Sequence, residues 1–285
     1  MKRADFIRKG LFASSLLLGS TFTSQEKEIQ DNNHVGFNHI PNTNSNVMKN
    51  AVLHKADSRG IADHGWLKSY HTFSFANYYN PERVNFGVLR VLNDDTVSSG
   101  MGFGTHPHEN MEIISIPLEG DLEHKDSMGN TTVIKHGDIQ VMSAGTGIQH
   151  SEFNPNPDQH TKLFQIWLFP KYRNVEPRYQ QITLDKSLEK NDFAQILSPN
   201  PDDAGVWIHQ DAWFYLSDFD ADFSKKLALK KEGNGFYVMN IKGEIEVNGE
   251  KLERRDAVGI WETNEIEINA NSNAKFLVME IPMEQ

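Results

Sequence analysis

Short apolar or alternating runs, separated by Gly, Asn, Asp and Pro, fill the chain from about residue 52 onwards, and no long helical pattern interrupts them. Regularly spaced short strands with turn residues between them predict an all-β sandwich or barrel. The pair Asn248-Gly249 predicts a two-residue hairpin turn between two of these strands. The runs form two consecutive series, which predicts two small barrels in tandem with a boundary between residues 169 and 200. They occupy residues 85–92, 112–118, 131–134, 139–142 and 163–169, and then residues 206–208, 212–216, 225–229, 235–241, 244–247, 257–261, 266–269 and 274–281.

Composition limits the chemistry that is open to this chain. The 285 residues include no cysteine. Disulfides, thiolate nucleophiles, zinc–thiolate sites and iron–sulfur clusters are thereby excluded, so any bound metal needs histidine, carboxylate or other oxygen ligands. The formal net charge is −11, from 28 Lys and Arg against 39 Asp and Glu. Because such a surface repels phosphate backbones, we expect no direct binding of nucleic acid.

The N-terminus differs in composition from the rest of the chain. Four basic residues precede an apolar run over residues 11–18, and small and polar residues follow it. This order is typical of a bacterial export signal, and the apolar run is too short to span a membrane. Residues 3–9 resemble a twin-arginine leader, except that Ala4 stands where the second arginine belongs. We predict a twin-arginine-like or Sec export signal over residues 1–23 and a periplasmic protein. The alternative is an extension on a cytoplasmic protein.

A polar segment follows the predicted export signal. Residues 24–50 are rich in Asn, Gln, Ser and charged residues and contain few apolar ones. Such a segment buries too little apolar surface to offset the entropy lost on ordering. We therefore predict a disordered, Asn-rich tether, with folded structure beginning after it.

Two pairs of residues at strand spacing form the candidate metal site. His106 and His108 are separated by one residue, and so are His150 and Glu152 farther along the chain. Residues i and i+2 of a strand point to the same face, so the two members of each pair project together. Three imidazoles and one carboxylate suit Fe, Ni, Cu, Mn or Zn and are too rich in nitrogen for Ca or Mg. A structural interpretation stays open, because a single histidine on a strand more often makes a hydrogen bond than binds a metal.

Several segments of the first half resemble known motifs. Residues 100–120 resemble the first cupin motif and residues 137–150 the second, with Ser143-Ala144-Gly145 where that motif has Pro-x-Gly. More specifically, the chain is similar to the pirin family, in particular to its bacterial members with quercetin 2,3-dioxygenase activity. The segments that carry this similarity are residues 63–67, 71–79, 102–108, 118–120, 124–130 and 142–152.

The resemblance implies a bicupin, that is, two tandem jelly-roll β-barrels, here over residues 51–172 and 173–285. It places one divalent metal ion in the N-terminal barrel, with Fe(II) expected and Ni, Cu, Mn or Zn as alternatives. Residues 206–282 cannot repeat the site, because they contain one histidine and no His-x-His pair. The metal ligands that the resemblance implies are His106, His108, His150 and Glu152.

The activity that the resemblance implies is cleavage of a quercetin-like flavonol by O2 with release of carbon monoxide. Glu152 would be catalytic and take the proton of the 3-hydroxyl, because a carboxylate beside the metal lies within hydrogen-bond reach of it. Phe73 and Phe75 are candidates for stacking on a flat substrate, although alternating aromatics more often pack in the core. Two other functions stay open. One is a non-enzymatic, iron-binding regulatory protein of the pirin type, and the other is a cupin enzyme acting on another small molecule.

The remaining histidines and one glutamate are expected to have structural roles. Glu112 belongs to the first cupin motif, whose glutamate often binds the metal in cupins. The resemblance to the pirin family assigns that ligand role to Glu152 instead. Glu112 is therefore expected to be a strand residue or to support the site. Six histidines of the folded region are expected to be hydrogen-bonded or exposed. They are His64, His71, His124, His136, His160 and His209.

Overall fold

Strands account for nearly all regular structure in the protein. The computed structural model describes residues 49–184 and 189–284, and the helical structure in these residues is one 3-10 turn at Ala56–Ser58. Within this part of the chain, no helix has the length and hydropathy needed to cross a membrane. The predicted export signal over residues 1–23 and nearly all of the predicted tether over residues 24–50 lie outside the described residues.

The strands are labelled in chain order. They are β1 Ala51–His54, β2 Gly60–Asp63, β3 Leu67–His71, β4 Leu89–Val97, β5 Gly102–His108, β6 Glu112–Glu119, β7 Leu122–Asp126, β8 Thr131–Ile134, β9 Asp138–Ser143, β10 Ile148–Phe153, β11 Thr161–Leu168, β12 Arg178–Thr183, β13 Ala194–Ser198, β14 Val206–Trp207, β15 Trp213–Phe219, β16 Ser224–Ala228, β17 Asn234–Lys242, β18 Ile245–Val247, β19 Glu250–Leu252, β20 Ala257–Ile260, β21 Glu265–Ala270 and β22 Ala274–Pro282.

Four sheets combine into two barrels. In the N-terminal barrel, a seven-stranded sheet in the order β12-β9-β6-β11-β4-β3-β2 faces a four-stranded sheet in the order β5-β10-β7-β8. In the C-terminal barrel, the corresponding orders are β1-β20-β17-β22-β15-β13-β14 and β16-β21-β18-β19. Neighbouring strands run antiparallel except for β13 and β14, which are parallel. The predicted all-β fold with two tandem jelly-roll barrels is confirmed.

Each barrel contains one strand from the other part of the chain. Strand β1 pairs with β20 in the C-terminal barrel, with Ala51 opposite Ile260. Strand β12 pairs with β9 in the N-terminal barrel, with Tyr179 opposite Met142. The ranges predicted from the sequence, 51–172 and 173–285, place β1 in the N-terminal barrel and β12 in the C-terminal barrel. In the structure each of these two strands belongs to the other barrel. Main-chain hydrogen bonds therefore join the two halves of the chain in both directions.

The two seven-stranded sheets pack against each other and form the main apolar core. Phe164 and Ile166 of β11 point away from the interior of their own barrel, as alternate residues of a strand do. They belong to the same buried cluster as Phe214, Tyr237 and Met279 of the C-terminal sheet. This shared core leaves the opposite face of each large sheet free to line the interior of its own barrel.

The interiors of the two barrels differ in chemistry. Apolar side chains, among them Phe219 and Phe276, form one large cluster in the C-terminal barrel. In the N-terminal barrel the apolar residues form two smaller clusters, one containing Leu122 and the other Met142. A cavity of about 480 Å³ lies in that barrel. Its volume falls in the range of small-molecule sites, so the N-terminal barrel has room for a ligand.

Candidate metal centre

Strands β5 and β10 carry the predicted metal ligands. They pair antiparallel, with His150 directly opposite His106. Beyond this pair the register shifts, and Glu152 lies opposite Phe103. His108 follows His106 at the next position on the same face of β5. The structure thus brings all four predicted residues to the lining of one cavity.

The three histidines meet at one point. One ring nitrogen of each lies within 4.8 Å of the ring nitrogens of the other two. The ring centroids of His106 and His150 are 4.5 Å apart, and those of His108 and His150 are 4.9 Å apart. Nδ1 of His106 lies 2.8 Å from the carbonyl oxygen of Gly104. A carbonyl only accepts, so Nδ1 donates, and the lone pair of Nε2 stays free in the neutral ring.

The other two histidines have buried nitrogens without partners. Nε2 of His108 and both ring nitrogens of His150 make no hydrogen bond to any described residue. Leaving buried polar atoms unsatisfied costs stability, and a metal ion bound at this point would satisfy one nitrogen of each ring. The histidine cluster therefore fits a metal site.

Burial keeps two of the three imidazoles neutral. Burial, together with the smaller effects of the neighbouring rings of His150 and His106, lowers the pKa of His108 to about 3. Burial also lowers the pKa of His150 to about 3, with contributions from His106 and His124. The neutral imidazole is the form that binds metals, so these two rings are ready to bind an ion near neutral pH without losing a proton.

Glu152 lies in the same cavity, and its carboxylate is hydrogen-bonded to two side chains of the large sheet. Its carboxylate accepts hydrogen bonds from Nε2 of Gln165 at 3.0 and 3.2 Å and from Oγ of Ser115 at 3.3 Å. The side chain is buried, as are those of Gln165 and Ser115. The group of metal-ligating atoms within 4.8 Å of one another consists of the three histidines, and Glu152 stands beside it. The assignment of Glu152 as fourth ligand and base stays a prediction.

Aromatic rings form much of the cavity wall. The rings of Trp66 and Phe103 pack edge to face, and so do those of Phe75 and Trp167. In each pair the ring centroids are 5.3 Å apart. Trp167 also contacts the ring of His108 at 4.9 Å. Flat apolar walls of this kind favour a flat aromatic ligand.

The two candidate stacking residues differ in position. Phe75 lines the cavity, whereas Phe73 is fully buried in the core between the barrels, against Tyr237 at 5.7 Å. The sequence could not separate them, because Phe73 and Phe75 have the same spacing and chemistry. The difference arises because the chain leaves strand geometry after β3.

Three histidines that were expected to be structural lie close to the site. His64 and His71 line the cavity. His124 is fully buried, its ring centroid lies 5.3 Å from that of His150, and its Nε2 lies 3.1 Å from Oδ2 of Asp126. All three fall in segments that resemble the pirin family, and that was the available signal for them.

Glu112 has a supporting position. It does not line the cavity, and its carboxylate accepts a hydrogen bond from Oγ of Ser143 at 2.6 Å. Burial raises its pKa to about 7. This position agrees with its prediction as a strand residue or a supporting residue.

Comparison with known proteins identifies the family. Residues 53–168 match the Pirin family, and residues 195–281 match the family described as the quercetinase C-terminal cupin domain. An Escherichia coli (strain K12) protein named quercetin 2,3-dioxygenase is 43% identical over 230 residues, which cover 81% of this chain and 98% of the relative. The chain belongs to the pirin family. The resemblance to quercetin 2,3-dioxygenases of that family is confirmed.

A second relative and a crystal structure agree with the assignment of this chain to the pirin family. A pirin-like protein of Caulobacter vibrioides is 40% identical over 225 residues, which cover 79% of this chain and 96% of the relative. A crystal structure of the bacterial pirin YhhW from Escherichia coli, in complex with nickel(II), has a TM-score of 0.77 at 40% identity and covers 81% of this chain and 99% of that chain.

Proposed function

We propose that this pirin is a metal-dependent dioxygenase that cleaves quercetin-like flavonols with O2 and releases carbon monoxide. The observation that carries the proposal is a cluster of three histidine nitrogens that opens into an aromatic-walled cavity beside a buried carboxylate. A relative that is 43% identical is named quercetin 2,3-dioxygenase, which supports the substrate class.

The proposed metal ligands are His106, His108, His150 and Glu152. The unpartnered nitrogens of His108 and His150 support the histidine part of this set. Such a donor set suits Fe(II), the first choice here, and a related pirin was crystallised with nickel(II), which supports Ni(II) as the alternative. When bound, the ion supplies Lewis acidity that lowers the pKa of the flavonol 3-hydroxyl and a centre for the chemistry of O2.

The side chains of the cavity perform the remaining steps. Glu152 takes the proton of the 3-hydroxyl, because its carboxylate lies beside the histidine cluster in the same cavity. Gln165 and Ser115 hold that carboxylate by their hydrogen bonds, so it need not reorient when the substrate enters. Phe75 and Trp167 orient the flat ring system and exclude water around it.

We also propose that the protein is exported. Basic residues, a short apolar run and a polar stretch over residues 1–23 support this proposal. An exported protein has no access to transcription factors, which opposes the non-enzymatic regulatory alternative. Cell fractionation of the untagged full chain tests it, and recovery of the full-length protein from the cytoplasm alone would contradict export.

The decisive experiment combines metal analysis with turnover in the full chain. The protein is loaded with Fe(II) or Ni(II), its metal is measured by elemental analysis, and quercetin loss, O2 uptake and carbon monoxide release are followed together. His106→Ala and Glu152→Ala remove proposed ligands, and His160→Ala changes an exposed histidine outside the cavity.

We expect about one metal ion per chain and turnover in the wild type and in His160→Ala. We expect His106→Ala to lose both, and Glu152→Ala to lose turnover. Bound metal without turnover of quercetin would contradict the proposed reaction and favour another substrate or a binding role. Failure of the wild type to bind either metal would contradict the proposed site itself.

A further inference from the structure

Four buried polar side chains face the cavity from the large sheet, whereas the three histidines of the candidate metal site lie on the small sheet. We call them the polar wall, and they are Ser69, His71, Asn93 and Asp95. Their exposed fractions are only 2 to 3%. His71 Nδ1 and Asn93 Oδ1 are buried atoms with no hydrogen-bond partner among the described residues. Ser69 Oγ and Asp95 Oδ1 also make no hydrogen bond of ordinary geometry there, although Ser69 lies close enough to the Asp95 carboxyl group to lower its pKa slightly against the effect of burial.

The pairing of the strands makes the polar wall one continuous surface. Ser69 lies opposite Asp95, and His71 lies opposite Asn93, across strands β3 and β4. Asn93 in turn lies opposite Gln165 of β11, the residue that binds Glu152. Neighbouring strands are about 4.8 Å apart, so the polar wall begins one strand from Gln165 and extends about 10 Å away from it. It is therefore separate from the metal ligands and extends along the same cavity.

A series of aromatic rings lies between His108 of the histidine cluster and His71 of the polar wall. The ring of His108 contacts Trp167, Trp167 contacts Phe75, and Phe75 contacts His71 at 5.2 Å. The cavity thus has a nitrogen-rich end, an aromatic middle and a second polar end. A ligand that fills it needs polar groups at both ends of a flat ring system.

The unpartnered atoms of the polar wall indicate which polar groups these are. Asn93 Oδ1 is an acceptor, and a serine hydroxyl can both donate and accept. Burial raises the pKa of Asp95 to about 7, so its carboxyl group accepts when ionised and can donate when protonated. Buried acceptors without donors are costly, and the cost is relieved when a ligand brings hydroxyl groups to them. A ligand with only apolar groups at that end would leave them unsatisfied.

We infer that the polar wall is a subsite for hydroxyl groups of an aromatic substrate. These hydroxyl groups belong to the ring of the substrate that is farther from the metal ligands. The inference rests on the proposed function for the orientation of the substrate. It adds that the enzyme selects polyhydroxylated ring systems over bare ones, and that Ser69 and Asn93 are residues that determine this specificity.

The test measures binding rather than turnover, with metal-loaded full chain in the absence of O2. The probes are quercetin and flavonols that keep the 3-hydroxyl and lack the hydroxyls of the pendant ring, of the fused ring, or of both. The variants are Ser69→Ala and Asn93→Leu. The matched control is Ser217→Ala, which removes an equally buried and unpartnered hydroxyl from β15 in the C-terminal barrel.

We expect loss of the hydroxyls of one ring to weaken binding to the wild type by about 2- to 10-fold for each hydrogen bond lost. We expect Ser69→Ala and Asn93→Leu to reduce that difference, and Ser217→Ala to keep it. If the wild type binds all flavonols equally, or if the variants keep the full difference, the inference is overturned while the proposed function stands. If no flavonol binds, the proposed function is overturned and the inference with it.

Discussion

Gln165 binds both oxygens of the Glu152 carboxylate. Its Nε2 lies 3.2 Å from Oε1 and 3.0 Å from Oε2. Nε1 of Trp167 donates to Oε1 of the same glutamine at 3.2 Å. An indole nitrogen only donates, so Trp167 fixes the orientation of the amide, and the amide directs its N–H groups to Glu152. A wall residue of the cavity thereby sets the position of the proposed base.

The first prediction concerns this amide. In Gln165→Leu the Glu152 carboxylate loses its hydrogen-bond donor from β11, while the side chain at position 165 keeps nearly the same volume. Glu152 is therefore held less firmly. We expect kcat for quercetin to fall by about 10- to 100-fold, with a smaller change in KM and with metal still bound. Gln195→Leu, in strand β13 of the other barrel, is the control and should keep the wild-type kcat. An unchanged kcat in Gln165→Leu would show that the hydrogen bonds to Glu152 do not serve the reaction.

The second prediction concerns the close approach of β5 and β10. A Cβ at Gly102 would lie 2.2 Å from the carbonyl oxygen of Glu152 and 2.6 Å from Cα of Phe153, so the two strands could not pair as they do. Gly104, two residues away, has no atom within 4 Å of such a Cβ. We expect Gly102→Ala to lower the thermal unfolding midpoint by several degrees and Gly104→Ala to leave it nearly unchanged, as measured by circular dichroism. Equal midpoints for the two variants would contradict this account of the strand contact.

Local sequence signals predicted much of the fold. The run over residues 131–134 coincides with β8, and the run over residues 266–269 lies inside β21. The predicted hairpin turn is present, with Val247 paired to Glu250 and with positive φ at both Asn248 and Gly249. These elements depend on residues that are neighbours in the sequence, so they could be predicted from the amino-acid sequence alone.

Other strands depend on partners that are distant in the chain. Residues 85–92 were predicted as a strand, whereas β4 extends over Leu89–Val97 and includes Asn93, Asp94 and Asp95. Asn and Asp disfavour strands in isolation, but β4 lies between β11 and β3 and is paired on both sides. Strand β12 shows no apolar run, because it covers the edge of a sheet built from the other half of the chain.

The candidate site shows the same division. The histidines were predictable because the i, i+2 spacing places each pair on one face of a strand. The polar wall was not, because Ser69, Asn93 and Gln165 come from three strands and follow no motif of their own. Only the pairing of β3, β4 and β11 brings them together.

The third prediction concerns the interface between the barrels. Asp94 accepts a hydrogen bond from Nε of Arg255 at 2.7 Å and lies 3.6 Å from Nη1 of Arg59. Both arginine side chains are buried, so Asp94→Ala would leave positive charge without its partner. We expect the free energy of unfolding to fall by about 3–5 kcal/mol, as measured by denaturant titration. The control is Asp218→Ala, which should have a much smaller effect because both partners of Asp218, Lys190 and Lys275, are exposed. Similar losses in the two variants would contradict the role of burial.

The last prediction concerns the effect of pH on stability through His54. This side chain is buried in the core between the barrels, and its Nδ1 lies 2.7 Å from the hydroxyl of Tyr237. Burial, with a smaller contribution from the positive charge of Arg83, lowers the pKa of His54 from 6.5 to about 4. The unfolded chain therefore binds a proton near pH 6.5, whereas the folded chain binds it only near pH 4. Stability contributed by the neutral ring is present above pH 6.5 and is lost as the pH falls toward 4, by on the order of 2–3 kcal/mol.

His54→Asn isolates this contribution from those of the other buried histidines. The free energy of unfolding is measured in urea at about pH 7.5 and about pH 4.5 for the wild type, for His54→Asn and for His136→Gln, which changes an exposed histidine. Because asparagine does not titrate in this range, we expect the drop between the two pH values to be smaller in His54→Asn by on the order of 2 kcal/mol. The side chain of His136 is exposed and lies outside the core around Tyr237, so we expect His136→Gln to keep the wild-type drop. An equal drop in all three proteins would show that protonation of His54 does not oppose folding, and that the core around Tyr237 accommodates a charged imidazole.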